Sequence, residues 1–97
     1  MIEIEQTEGF RAWFEGLRDG RVKQRISARL TNIMAKGSFG DHRSVGSNVS
    51  ELRFHFGPGY RIYYTLRGET LVLLLAGGDK SSQARDIRKA IQLAEEQ

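Results

Sequence analysis

The chain has no cysteine, so disulfides and thiolate metal sites are excluded. Histidine is almost as scarce. Only His42 and His55 offer an imidazole, and neither has a second typical ligand at metal spacing. No metal and no cofactor are expected. Long apolar runs are missing too. The longest, Leu71 to Ala76, falls far short of the ~20 residues that a membrane helix requires. The first residues, Met1-Ile2-Glu3-Ile4-Glu5, are acidic where a signal peptide is basic, so export is not indicated and a cytoplasmic location is expected. Repeats, linkers and low-complexity segments are also absent. The 97 residues read as one domain, 1–97, with a single modest core.

Positive charge is in excess. Fifteen Lys and Arg face twelve Asp and Glu, for a net charge of +3. An isoelectric point near 9.6 points to a polyanion or an acidic partner.

The apolar pattern has a period of two at Ile2-Glu3-Ile4, which reads as a short strand. Thr7 then caps a helix whose Phe10, Trp13, Phe14 and Leu17 fall on one stripe. Gly20 stops or bends the chain. A second helix carries Val22, Ile26, Leu30, Ile33 and Met34 on one face and ends at Gly37. The period returns to two at Gly40. Strands are expected at about Asp41–Val45, Val49–Phe56, Tyr60–Leu66 and Thr70–Ala76. Their turns lie at Gly46-Ser47-Asn48, at Gly57-Pro58-Gly59 (which holds the only proline) and at Arg67-Gly68-Glu69. The last strand is the most apolar, which suggests the sheet centre. Gly77-Gly78-Asp79 breaks it. Ser81 or Ser82 caps a final helix with Ala84, Ile87, Ile91 and Ala94 on one face. The order β-α-α-β-β-β-β-α defines an α+β domain.

Strand alternation sorts the charges. In Glu51-Leu52-Arg53-Phe54-His55-Phe56 the apolar residues share the face that packs on helices, and Glu51, Arg53 and His55 share the other. The next strand puts Arg61, Tyr63 and Thr65 together. A tight hairpin at Pro58 then gathers Arg53, His55, Arg61 and Tyr63 on one polar face. Lys80 follows the last strand nearby, and Arg85 and Arg88 add charge from the last helix. Such a face suits a phosphodiester. Arginine binds phosphate oxygens bidentately and stabilises the added charge of a phosphorane-like transition state. Imidazole exchanges protons near neutrality. A phenol such as Tyr63 stacks on a base or orients a ribose. Arg18, Arg21, Arg25 and Arg29 line a second basic stripe, either a solvated face or a docking face.

The run from Glu51 through Tyr64, with its Gly59-Tyr60-Arg61, resembles the central strands of the RelE/ParE superfamily of toxins from type II toxin–antitoxin modules. Leu73-Leu74-Leu75-Ala76-Gly77-Gly78-Asp79-Lys80-Ser81-Ser82-Gln83 is similar to a hallmark of its HigB-like, Gp49-like branch, the addiction-module killer proteins. The Phe10-Arg11-Ala12-Trp13-Phe14 block fits as well. The resemblance covers nearly the whole chain. It implies a RelE-like fold: two N-terminal helices on a mainly antiparallel twisted sheet, with a C-terminal helix. It also implies a ribosome-dependent, metal-independent mRNA endoribonuclease that inhibits translation by 2′-OH attack. Carried over, Arg61 and Lys80 stabilise the phosphorane, Arg53 holds the phosphate and His55 is the general base or acid. From the face reading above, Tyr63, Arg85 and Arg88 are expected to bind RNA. The implied partners are a helix-turn-helix, HigA-like antitoxin, the ribosome and mRNA, and operator DNA only through the antitoxin. One departure stands out. Several mRNA-cutting relatives carry a Tyr or His near the C-terminus, and this chain has neither after Tyr64. That leaves the general acid open, with a ParE-like, non-catalytic DNA gyrase inhibitor as the alternative. A plain RNA-binding sheet is a third reading, but Tyr60 and Tyr64 point inward by alternation, so its aromatic platform is thin.

Overall fold

A computed structural model describes residues 1–96. The elements follow the expected order: β1 (Glu3–Gln6), α1 (Glu8–Glu15), α2 (Gly20–Lys36), β2 (His42–Gly46), β3 (Val49–Arg53), β4 (Tyr60–Arg67), β5 (Leu71–Asp79) and α3 (Gln83–Glu96). A 3₁₀ turn, Lys80–Ser82, joins β5 to α3. The helix starts obey capping rules. Thr7 Oγ1 accepts from the Phe10 N–H at 3.2 Å, and Asp19 Oδ1 accepts from the Arg21 N–H at 2.9 Å. Gly20 is therefore the first residue of α2 rather than a break, and Gly37 closes that helix in the left-handed conformation. Among the described residues, no helix is long and apolar enough to cross a membrane.

The five strands form one sheet in the order β1-β5-β4-β3-β2. Only β1 and β5 run parallel; the other pairs are antiparallel. The central strand is β4, not the more apolar β5. The reason is that β1 returns to pair with the outer side of β5. Both strands are apolar on two sides because helices cover both faces of the sheet. One core packs Leu52, Ile62, Tyr64, Val72 and Leu74 against Phe10, Val22, Ile26 and Ile33 of α1 and α2. The other packs Val49, Tyr63, Leu73, Leu75 and Ala76 against Ala90, Ile87 and Ile91 of α3. A bulge in β5 leaves Leu75 without a cross-strand partner, so Leu75 and Ala76 both enter the α3 core.

The helix stripes need two corrections. Met34 is 38% exposed at the edge of the α2 face. Ala84 is exposed in α3, where Asp86 and Ala90 are the buried residues.

β5 runs three residues beyond its expected end at Ala76, so Gly77 and Gly78 lie inside the strand. They face opposite sides, as alternation requires. A Cβ on Gly77 would overlap the Trp13 ring of α1, and a Cβ on Gly78 would overlap the Asp86 carboxylate of α3. The two glycines thus mark close helix–strand approach on both faces. Gly77→Ala is expected to destabilise the fold by about 1–3 kcal/mol, as overpacking does. Urea unfolding with an unchanged midpoint would show that Trp13 is not held there.

Candidate active site

The site is assembled from the α2 side of the sheet. Arg29 Nη1 donates to the carbonyls of Phe39 and Asp41, both at 3.3 Å, and Nη2 donates to the Arg53 carbonyl at 3.0 Å. The guanidinium also lies 4.3 Å from the centre of the Phe54 ring. One side chain therefore pins the segment before β2 to the end of β3. Gly40 leaves room for it: its φ is +68°, and a Cβ there would lie 3.1 Å from Arg29 Nε. Arg29 is accordingly not part of a free arginine stripe. Arg25 lies 4.4 Å over the Phe56 ring and Arg21 pairs with Asp19, which leaves Arg18 as the fourth, exposed member.

This anchoring sets Asp41 beside two of the expected site residues. Asp41 Oδ1 accepts from Arg53 Nη2 at 2.8 Å and from Nε at 3.1 Å. Its other oxygen bonds to His55 Nε2. The Arg53 bond, followed by the His55 bond, holds the Asp41 carboxyl down at about 2. Sequence reasoning missed Asp41. The signal was available in the hairpin register: His42 pairs with Leu52, which brings Asp41 level with Arg53.

Arg61 sits on the neighbouring strand between Arg53 and Gly78. It is only 4% exposed. Nη1 donates to the carbonyls of Tyr60 at 2.9 Å and Phe54 at 3.4 Å, while Nε is buried without a partner. Among the described residues, no carboxylate lies within ion-pairing distance of Arg61. Burying a guanidinium without a counter-charge is costly, and here two carbonyl oxygens are the partners it has among the described residues. Lys80 approaches the same hairpin. Its side chain lies across Gly59, where a Cβ would fall 2.9 Å from Cγ. Asp79 caps the 3₁₀ turn that carries Lys80, accepting from the Ser81 N–H at 2.8 Å. Arg53, His55, Arg61 and Lys80 thus all attach to the hairpin spanning residues 53–61. Among the described residues, no three His, Asp or Glu side chains are grouped to hold a metal.

The expected RNA-binding residues divide. Tyr63 is fully buried beneath α3, so the base-stacking reading is corrected: its ring offers no face to a base. Its hydroxyl has no hydrogen-bond partner among the described residues, and burial, with Glu51 and Asp86 nearby, pushes its pKa up. The polar face imagined for β3 and β4 is half covered, because α3 packs on it. Glu51 lies wholly under that cover. It accepts from Gln83 Nε2 at 2.8 Å and Arg43 Nε at 3.2 Å, and so ties α3 to β3 and β2. Asp86 accepts from Ser82 Oγ at 2.5 Å. Arg85 and Arg88 are exposed on α3, and Arg85 lies 3.8 Å from Asp86.

The family described as phage-derived protein Gp49-like matches residues 12–97. The chain belongs to the Gp49-like family. The match spans every candidate site residue of this Gp49-like protein. An uncharacterised protein of Haemophilus influenzae is 43% identical over 95 residues, covering 98% of this chain and 95% of its own length. Two solved structures share the fold. The E. coli toxin RelE, as a double arginine-to-alanine mutant in the free state, superposes with a TM-score of 0.73 at 14% identity. That alignment covers 94% of this chain and 95% of RelE. A chain of the intact E. coli RelBE toxin–antitoxin complex gives 0.67 at 15% identity, covering 81% of this chain and 96% of that one. The Gp49-like part of the resemblance is thus matched by the family, and the expected RelE-like architecture by the fold.

The depressed Asp41 value gives a sign to the acid response. A carboxylate held below its ordinary 3.8 stabilises the fold above that pH, and the contribution is lost as pH falls through about 2. Thermal melts between these limits are expected to show a larger drop in Tm for the wild type than for Asp41→Asn. Parallel curves would show that the Arg53–Asp41–His55 contacts do not persist in solution.

Proposed function

We propose that this protein is the toxin of a type II toxin–antitoxin module and that it cuts mRNA on the ribosome without a metal. The observation that carries the reading is Arg61: a guanidinium buried in a sheet, fixed by two backbone carbonyls, with no carboxylate paired to it among the described residues. A preorganised positive charge of this kind stabilises an anion that gains charge in the transition state. Lys80 beside the same hairpin supplies a second positive charge. Arg53, bound to Asp41 through Nε and Nη2, contributes its remaining nitrogen to phosphate. In this reaction His55 takes the proton of a ribose 2′-OH and the 2′ oxygen attacks the adjacent phosphorus. The bond to the 5′ oxygen breaks, and that oxygen takes a proton from water. The products are a 2′,3′-cyclic phosphate and a 5′-OH end.

The RelE fold and the Gp49-like family support the toxin reading. RelE has been solved in complex with an antitoxin. By the same logic the partner here is a helix-turn-helix antitoxin, through which the pair contacts operator DNA. The ribosome and mRNA are the targets, and the site of action is the cytoplasm. Arg85 and Arg88 are exposed on α3 and serve RNA backbone contact.

Primer extension on a reporter mRNA in a translating bacterial extract tests the reading. Cuts are expected only when ribosomes are present. Lys80→Ala, a change at an exposed position, is expected to reduce cutting ~10²-fold or more, in line with the loss of one electrostatic donor. Arg61→Ala is expected to abolish it. Intact mRNA from a folded wild type would sink the nuclease and favour gyrase inhibition, which a supercoiling assay measures directly.

A further inference from the structure

We propose that Asp41 is a positioning residue that selects the Nε2–H tautomer of His55 and so makes Nδ1 the atom that takes the substrate proton. The inference rests on the nuclease reading above and adds to it a residue and an atom. The geometry assigns each nitrogen. A carboxylate accepts hydrogen bonds and donates none, so the ring nitrogen facing Asp41 Oδ2 carries a proton in the neutral imidazole. That nitrogen is Nε2. Nδ1 is left as the lone-pair nitrogen on a ring whose side chain is 59% exposed to solvent. A base must present a lone pair to the hydroxyl it deprotonates, and only Nδ1 does so here.

A carboxylate beside a phosphate site brings a second problem, since it repels the substrate. Arg53 resolves it. Two of its nitrogens bind Asp41 Oδ1, so the carboxylate is matched by a cation before RNA arrives. The arrangement is also built rather than incidental. Arg29 holds the Asp41 carbonyl from α2, and the Arg53 backbone N–H donates to that same carbonyl at 2.9 Å. The backbone of Asp41 is therefore fixed from two sides while its carboxylate meets Arg53 and His55. Fixing the tautomer and ring plane before substrate binds lowers the barrier without adding affinity.

Two measurements test this. The first is long-range ¹H–¹⁵N correlation NMR of His55 in the folded wild type, read on the alkaline side of the ring's titration. Nε2 is expected to be protonated and Nδ1 bare. A ring protonated on Nδ1 overturns the proposal without any variant being made. The second is single-turnover cleavage on programmed ribosomes by wild type, Asp41→Asn, His55→Ala and the double variant, each checked for folding by circular dichroism. Asp41→Asn is expected to lose ~10²-fold in rate with little change in half-saturating concentration, and its NMR spectrum to lose the tautomer preference. The double variant is expected to be no slower than His55→Ala, because Asp41 acts through His55. Wild-type rates in Asp41→Asn, or a double variant slower by the product of the two losses, overturn the proposal. A folded wild type that leaves RNA intact overturns the nuclease reading itself, and it differs from the former failure, in which both proteins cut.

Discussion

Close approach on both faces of β5 is the constraint from which the rest of the molecule follows. Gly77 admits the indole of Trp13 from one side and Gly78 admits the carboxylate of Asp86 from the other. Neither contact tolerates a β-carbon. The strand therefore continues to Asp79, and the 3₁₀ turn and α3 start directly from its end. That start decides where Lys80 lies and which half of the sheet α3 covers. Glu51, Tyr63 and Ala76 fall beneath the helix; in the next row Gly78 still abuts the Asp86 carboxylate, Arg61 is buried and Arg53 is partly exposed.

A polar network replaces apolar packing at this boundary. Glu51 is buried yet satisfied by an amide from α3 and a guanidinium from β2, so it holds three elements together. Buried carboxylates persist only with such partners. Arg61 is the contrast, because its charge is met by carbonyl oxygens alone. Side by side, the two residues separate a buried charge met by an opposite charge from one met by none among the described residues. Arg29 does a similar structural task on the opposite face, and that task explains why one arginine of the basic stripe is withdrawn from solvent.

The candidate site was legible in part. Alternation within single strands placed Arg53 and Arg61 on one side, and the register confirms that they are cross-strand partners. Lys80 followed from the strand end. Tyr63 was misread because alternation tells which face a residue takes but not whether a helix covers that face. Asp41 was overlooked because its contacts depend on pairing with a strand residue twelve positions later and on an arginine from a helix before it. The centre of the sheet was misplaced for a related reason. Hydrophobicity marks β5 as internal, but only the parallel return of β1 shows that β4 is the middle strand.

Residue order by itself determined the number and type of the main elements, the Thr7 cap of α1, the Gly37 end of α2 and most of the apolar faces of these two helices, while the Asp19 cap of α2 and the Asp79 cap before α3 were not read. Each of these depends on neighbours within a few positions: a 3.6-residue or two-residue period, a side-chain oxygen three residues before an N–H, a glycine at a turn. Tertiary structure alone decided which charges are free and which are spent. The bonds of Asp41 to His55 and Arg53, the burial of Tyr63 beneath α3 and the bond of Arg61 to the Phe54 carbonyl all join separate elements of the fold. Their formation depends on strand register and on the seat of α3, and both are fixed by packing on the two faces of one sheet.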